Sequence, residues 1–550
     1  SAQQVTISPL PQAIAWGEKA FDRQTAFNVV GAETADADAV NALTAKYEAT
    51  GGSIELLIGE RGDAAVAEFE TSIPSKAEGY YLQVTPERVV IAGNDERGTF
   101  YGVQSFLQVA AQPEVMSVTV TDYPDVIERG VVDGFYGNNW SQTDRIRQFQ
   151  FYGANKMNTY IYGPKDDPYH RARWREAYPT ETANKMKALV AEAKRNKVKF
   201  VWAIHPGNDI QWNKTDSVNV VKKLEMMYAL GVRAFAVFFD DVWGGEGTRG
   251  IKQAQLLNYV TDNFVKKYDD VEPLILCPTQ YNRGWASGTY LSELRDNLYK
   301  EVRIMWTGNS VVDMIGEVDM QWINEQIKRK AYIWLNYPVN DYCQSRILMG
   351  KTYGNGLNIN EMVSGFCSNP MEYAEASKVS LYSIADYTWN TEAYNPIDSW
   401  ERGLEMLAPE VKDAYRLFAI HSCDTETGYR RYESWETETF GFEDYTPELS
   451  AKLMEELKRI EAVPAQMEAM QNKALLAELR PWLVEFGKLG TRCRKAIEAL
   501  ALFQTGDYEA FWNAYVDNLM SEEDVAMFDA HRVGTQKLHP FYERLMDDMA

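Results

Sequence analysis

RAFAVFFDDVW, residues 233–243, is an apolar run that stops abruptly at two adjacent carboxylates, Asp240 and Asp241. A run this short, rich in Phe and Val and bounded by polar residues, predicts a buried strand rather than a helix. Similar short runs lie on either side of it: 198–204 (VKFVWAI) before and 273–277 (PLILC) after. Amphipathic stretches at 217–230 and 251–267 fill the gaps between them. Extending the pattern gives strands at 129–134 (RGVVDG), 156–162 (KMNTYIY), 302–306 (VRIMW), 331–335 (AYIWL) and 363–367 (VSGFC), with helices at 183–195 and 319–328 among the connections. Eight strand–helix units over about 270 residues have the size of a closed (β/α)8 TIM barrel. An open doubly wound sheet would be the alternative, but the stretch has no GxGxxG turn.

The barrel is expected over 125–399, with different rhythms before and after it. Residues 1–124 predict an N-terminal α/β domain. There, GYYLQVTPERVVIAG (79–93) alternates on both sides of a Thr85-Pro86-Glu87 turn, as a hairpin does. Asn94-Asp95 then precedes a helix carrying Phe100, Val103 and Leu107 on one face. Residues 400–550 predict a C-terminal helical domain. Pro447 stands at a helix start, and SEED at 521–524 offers an N-cap.

Composition narrows the possible chemistry. The chain carries 56 Lys and Arg against 79 Asp and Glu, a formal charge of −23. Such a chain repels phosphate backbones, so nucleic acid is not an expected partner. No apolar run reaches the roughly 20 residues of a membrane span. Five cysteines without CxxC spacing and five histidines without HExxH spacing call for no disulfide framework, no metal and no other cofactor. The oligomeric state is not legible.

In a barrel the functional groups come from the C-terminal strand ends, where the loops converge. Here those ends carry Tyr136, Lys165, His205, Asp240-Asp241, Tyr281-Asn282, Thr307 and Asn336 through Asp341. Adjacent residues on a regular strand point to opposite faces. Two Asp aimed at one cleft therefore require the strand to end or bulge between them. Close carboxylates also resist ionising together, so one of the pair is expected to have a raised pKa and to serve as an acid. The plainer alternative is a solvated helix N-terminus, where Asp complements the helix dipole.

RGVVDGFYG (129–137), MNTYIYGPKDDPYH (157–170), FVWAIHPG (200–207), FAVFFDDV (235–242), CPTQYN (277–282), MWTG (305–308) and WLNYPVNDY (334–342) together resemble the ordered motifs of glycoside hydrolase family 84. AGNDERGTFYGVQSF (92–106) is similar to the domain that precedes the barrel in that family. The resemblance implies a retaining β-N-acetylglucosaminidase in which the substrate's own acetamido oxygen attacks the anomeric carbon. It assigns Asp240 to orienting and polarising the acetamido N–H, and Asp241 to general acid and base. Gly134 through its backbone, with Lys165, Asn336 and Asp341, would hold sugar hydroxyls, and Tyr281 the acetamido group. Tyr136, Cys277, Thr307, Val311 and Trp334 would line the pocket, and Asn369 of GFCSNPME would contact the sugar after the eighth strand. The implied partner is a carbohydrate or glycoprotein carrying β-linked GlcNAc, and bacterial members imply a place outside the cytoplasm. Since the sequence starts at Ser1, a signal peptide is not observable.

Three positions depart from the family pattern. Asp133 replaces the usual Glu, Gln280 stands where Glu is common, and Leu335 replaces a second Trp. The first two shorten or neutralise an acid expected behind the site, which implies a shifted rate or pH optimum. Two other functions remain beside the leading one: a hyaluronan- or glycosaminoglycan-degrading enzyme, and a non-catalytic carbohydrate-binding protein.

Overall fold

The computed structural model describes residues 5–425 and 446–550. Six strands form the N-terminal sheet: β1 (Ala13–Asp22), β2 (Asn28–Val30), β3 (Glu55–Glu60), β4 (Tyr80–Val84), β5 (Arg88–Gly93) and β6 (Glu114–Asp122), in the order β1-β6-β4-β5-β3-β2. The hairpin around Thr85-Pro86-Glu87 is β4 and β5, and the turn is closed by Thr85 N–H donating to the Arg88 carbonyl. Asp95 caps the following helix, Glu96–Ala110, accepting from Gly98 N–H. Its Phe100 and Val103 are buried on the sheet, whereas Leu107 lies at the edge of that core.

Eight parallel strands then close a barrel: β7 (Arg129–Asp133), β8 (Thr159–Tyr162), β9 (Lys199–Ile204), β10 (Ala234–Phe238), β11 (Ile275–Cys277), β12 (Arg303–Trp306), β13 (Ala331–Leu335) and β14 (Val363–Ser368). Strand β7 pairs with β8 on one side and β14 on the other, which completes the ring. Every strand predicted from the apolar runs is present. Period-two alternation divides each strand between two cores. In β10, Ala234, Ala236 and Phe238 fill the barrel interior, while Phe235 and Val237 pack against the helices outside. Small Ala203, Ala234 and Ala236 leave room for Tyr332 and Trp334 from the opposite wall. Burying each large apolar side chain contributes roughly 1.5–3 kcal/mol, so the two nested cores hold the strand ends rigidly.

Buried charge joins the first domain to the barrel floor. Arg129 is fully buried, donates to the carbonyls of Val126 and Lys156, and forms an ion pair with Glu78 at 3.1 Å. Trp389, on the helix after β14, donates to Asp122 at 2.9 Å. The C-terminal region is helical across its described residues. Pro447 opens a short turn of 3-10 helix leading into helix Ser450–Met467, and Ser521 caps Glu522–Ala530 with a reciprocal bond to Asp524. Residues 480–503 belong to a long helix, Lys473–Gln504, which starts at the Asn472 cap and carries Pro481 inside it. Trp482 of that helix donates to the Ser345 carbonyl of the barrel's seventh loop.

Candidate active site

At the C-terminal ends of the strands lies a cavity of about 710 Å³. All thirteen residues proposed from the sequence line it: Gly134, Tyr136, Lys165, Asp240, Asp241, Cys277, Tyr281, Thr307, Val311, Trp334, Asn336, Asp341 and Asn369.

Chain geometry explains how two neighbouring Asp share the cavity. Phe238 points into the barrel and Phe239 points outward, where it stacks on Trp212. Alternation therefore returns Asp240 to the interior. Regular structure ends there, and Asp241 adopts a left-handed backbone with φ +56°. The anticipated strand end thus takes the form of a non-glycine residue in the left-handed region, an arrangement that costs free energy and clusters at functional sites.

The two carboxylates are held differently. Asp240 is buried, and its Oδ2 is paired with the Lys165 ammonium, itself buried. The other oxygen, Oδ1, has no hydrogen-bond partner. His205 donates from Nε2 to the Asp240 carbonyl at 2.6 Å and stands 3.5 Å from Oδ1. Burial pushes the Asp240 pKa up, but the charge of Lys165, with His205 helping, outweighs it and sets the value at about 2. The sequence predicted that crowding of the two acids would raise one of them. At Asp240 the outcome is opposite, because a cation 75 residues away in sequence neutralises it. Lys165 responds in kind: burial lowers its pKa, and Asp240 more than restores it. Its ammonium also lies 5.6 Å from the Tyr136 ring centroid and 5.7 Å from that of Trp334, within cation–π range.

Asp241 accepts a hydrogen bond from the Tyr136 hydroxyl at 2.8 Å. Tyr136 N–H donates in turn to Asp341 at 3.1 Å, so one residue ties the first loop to the acids of the fourth and seventh. Burial raises the Asp341 pKa, with the Tyr136 N–H and Lys165 opposing. Asn336 is fixed on three sides: it accepts from Trp334 Nε1 at 2.9 Å and Asn369 Nδ2 at 3.0 Å, and donates to the Val311 carbonyl at 2.8 Å. Thr307 donates to the Ser310 carbonyl at 2.9 Å, which shapes the loop bearing Val311. Gly134 is needed because a Cβ there would lie 2.6 Å from the Trp334 indole. Burial holds the Cys277 thiol well above its usual pKa, so it is a neutral wall.

Several lining groups were not singled out from the sequence. Asn282, Trp285, Asn309 and Tyr342 border the same cavity, and His205 sits directly beneath Asp240. His205 and Asn282 were visible as strand-end residues, and position in the barrel could have promoted them. The structure also places the three departures. Asp133 faces the helix layer, where it accepts from the Tyr160 hydroxyl and from Arg145 Nε at 3.1 Å. Gln280 bonds Ser287 of its own loop, and Leu335 is buried on the helix side. Neither Asp133 nor Gln280 touches Asp240 or Asp241, because alternation turns residue 133 away from the interior that Val132 enters. Among the described residues no cluster of His, Cys, Asp or Glu could hold a metal ion, and no helix is long and apolar enough to cross a membrane.

The family model described as beta-N-acetylglucosaminidase matches residues 129–420, more than half of the chain and the whole barrel. The chain belongs to this family. Residues 4–123 match a second model, domain 2 of glycosyl hydrolase family 20. The rat and mouse proteins named Protein O-GlcNAcase are each 31% identical to this family member over 281 residues, 49% of this chain and 30% of theirs. The match thus spans about a third of those relatives' length. Among solved structures, that of CpGH84B superposes with a TM-score of 0.88 at 32% identity, covering 98% of this chain and all of the other. CpGH84D gives 0.89 at 26% identity, covering 99% of both. A mutant form of the Thermobaculum terrenum O-GlcNAc hydrolase gives 0.69 at 26% identity, over 77% of this chain and 95% of the other. Family membership agrees with the architecture of a family 84 glycoside hydrolase: α/β domain, barrel and helical region in that order.

Proposed function

We propose that this chain is a retaining β-N-acetylglucosaminidase that releases terminal β-linked GlcNAc through an oxazoline formed by the substrate itself. One observation carries the reading: a buried, ionised Asp240 with one oxygen committed to Lys165 and the other without a donor. Leaving a buried acceptor unsatisfied costs about 1–3 kcal/mol, and more when it is charged. An N–H delivered by the ligand relieves that cost. A 2-acetamido group supplies such an N–H, and the hydrogen bond pushes electron density onto the acetamido oxygen.

That oxygen attacks the anomeric carbon as the bond to the leaving oxygen breaks. Asp241 gives its proton to the departing oxygen, and Asp240 stabilises the positive charge that develops on the ring N–H. Water then attacks the same carbon, Asp241 takes its proton, and the ring opens with the original configuration retained. Tyr136 OH orients Asp241 throughout. Lys165, Asn336, Asp341, Asn369 and the Gly134 backbone hold the sugar hydroxyls, while Tyr281, Cys277, Thr307, Val311 and Trp334 shape the pocket around the acetamido group. A double-displacement glycosidase uses two carboxyls about 5–5.5 Å apart flanking the scissile bond. Here the chain places two adjacent acids on one strand end, an arrangement that suits substrate assistance.

A fluorination series tests this reading. Mono-, di- and trifluoroacetamido aryl glycosides drain electron density from the attacking oxygen with little change in size, so turnover should fall steeply along the series. A flat series in an active enzyme would remove the acetamido group from the nucleophile's role. Comparing GlcNAc with GalNAc and glucuronide glycosides separates this function from glycosaminoglycan cleavage, and absence of turnover on all three leaves sugar binding alone.

A further inference from the structure

The cavity has a rim that cleavage of the terminal sugar does not use. Trp243 follows Asp241 by two residues and is 80% exposed. Its ring lies 6.2 Å from that of Trp285, which is 40% exposed and borders the cavity. Trp285 in turn lies 4.9 Å from Tyr281 inside it. Three aromatic rings therefore run in contact from the cavity wall into solvent. Among the described residues between 125 and 399, the only other exposed aromatic ring is Tyr136, which bonds Asp241 at the same mouth. The exposed rings of the barrel are thus gathered beside the proposed acid. Gly244 and Gly245, both with positive φ and open space around them, follow Trp243 in a turn, and the indole itself is largely exposed. Exposed apolar surface gathered at one place marks a binding surface.

We propose that Trp243 and Trp285 form a platform for the sugar ring to which the terminal GlcNAc is attached, so that the preferred substrate is a GlcNAc-terminated glycan. This rests on the β-N-acetylglucosaminidase reading above. Asp241 must reach the oxygen between the two sugars, and Trp243, two residues along the chain, lies where the departing sugar emerges. One face of a pyranose is a flat patch of C–H bonds carrying slight positive charge, which complements the negative face of an indole. An extended peptide would instead bring N–H and C=O groups that need hydrogen-bond partners, and indole faces satisfy neither fully.

The test compares kcat/KM for three substrates: methyl β-GlcNAc, a disaccharide of GlcNAc β-linked to galactose, and a GlcNAc-serine glycopeptide. Trp243→Ala should lower the disaccharide value about fivefold and leave the methyl glycoside within about twofold, as loss of one ring contact predicts. Trp243→Phe, which keeps a ring, should recover most of the loss. An equal change on all three substrates, or none on the disaccharide, would overturn the platform. A loss confined to the glycopeptide would also overturn it, by assigning the rim to peptide. An unaltered chain that cleaves none of the three defeats the underlying reading, and the platform with it. One that cleaves all three while Trp243→Ala changes nothing defeats the platform alone.

Discussion

The two ends of the barrel both carry cavities rich in charge, yet only one reads as a site. At the N-terminal end, below the strand starts, a cleft of about 1310 Å³ opens between the barrel floor and the first domain. It is nearly twice the size of the upper cavity. Cations there face carboxylates: Lys199 meets Glu128 and Glu272, Arg303 meets Glu128, Arg233 meets Asp270, and Lys197 meets Asp36 and Asp38. At the upper end Asp240 keeps an oxygen without a donor, Asn369 keeps its carbonyl oxygen likewise, and Asp341 is raised by burial. Size does not separate the two cavities. What does is the state of their buried carboxylates: Glu78 and Glu128 below are paired with cations, whereas Asp240 above keeps an oxygen that a ligand can complete.

If that distinction is right, substitutions at the two ends should fail in different ways. Asp241→Ala should reduce kcat/KM by about 10²–10⁴-fold on substrates with poor leaving groups, and far less on activated aryl glycosides, since an activated phenol needs little protonation. A leaving-group series shows this directly, and equal losses across it would take Asp241 out of the acid's role. Asp240→Ala should cost about 10²–10³-fold. It should also weaken binding of a thiazoline analogue of the cyclic intermediate, measured by inhibition. Unchanged thiazoline affinity would break the link between the unsatisfied oxygen and the acetamido N–H.

Lys165→Met carries its signature in the pH profile. With the cation present, Asp240 titrates at about 2, below any useful assay range. Without it, only the weaker help of His205 and His170 opposes burial, the pKa rises, and an acidic limb in kcat/KM should move up toward the assay range. An unmoved limb would show that something other than Lys165 keeps Asp240 ionised. Asp341→Ala should cost about 1.5–3 kcal/mol of transition-state stabilisation, the range for hydrogen bonds to charged groups, with no change in thermal stability beyond a few degrees. At the lower end the expectation is the smallest. Glu272→Gln removes one partner of Lys199, but Glu272 is 42% exposed and solvent screens it. Stability should fall by about 1 kcal/mol or less, with kcat/KM unchanged. A large loss of activity there would give the lower cleft a role that its paired charges do not suggest.

Much of this was legible in the residues alone. Short apolar runs at regular spacing predict the barrel because strand and helix periods differ and neither can imitate the other for long. Strand ends predict the site because closure brings all eight together. What spacing could not give was pairing across distance. Nothing in the sequence near Asp240 announces Lys165, and the expectation of a raised Asp failed at Asp240 for that reason. Asp133 shows a finer limit. Its neighbour Gly134 lines the cavity, but a one-residue step on a strand turns the side chain to the opposite core. The N-terminal sheet was also out of reach in detail: β1 pairs with β6 about 100 residues away, and only the local hairpin β4–β5 carried a turn signal.

The left-handed backbone of Asp241 has a thermodynamic consequence. An L-residue with a side chain pays for that conformation, Asn and Asp least, whereas glycine adopts it freely. Asp241→Gly should therefore melt at a higher temperature than the unaltered chain, by an amount corresponding to about 1 kcal/mol, while losing the acid altogether. Turnover and folded stability are thus expected to pull against each other at this one dihedral, where the proposed acid sits.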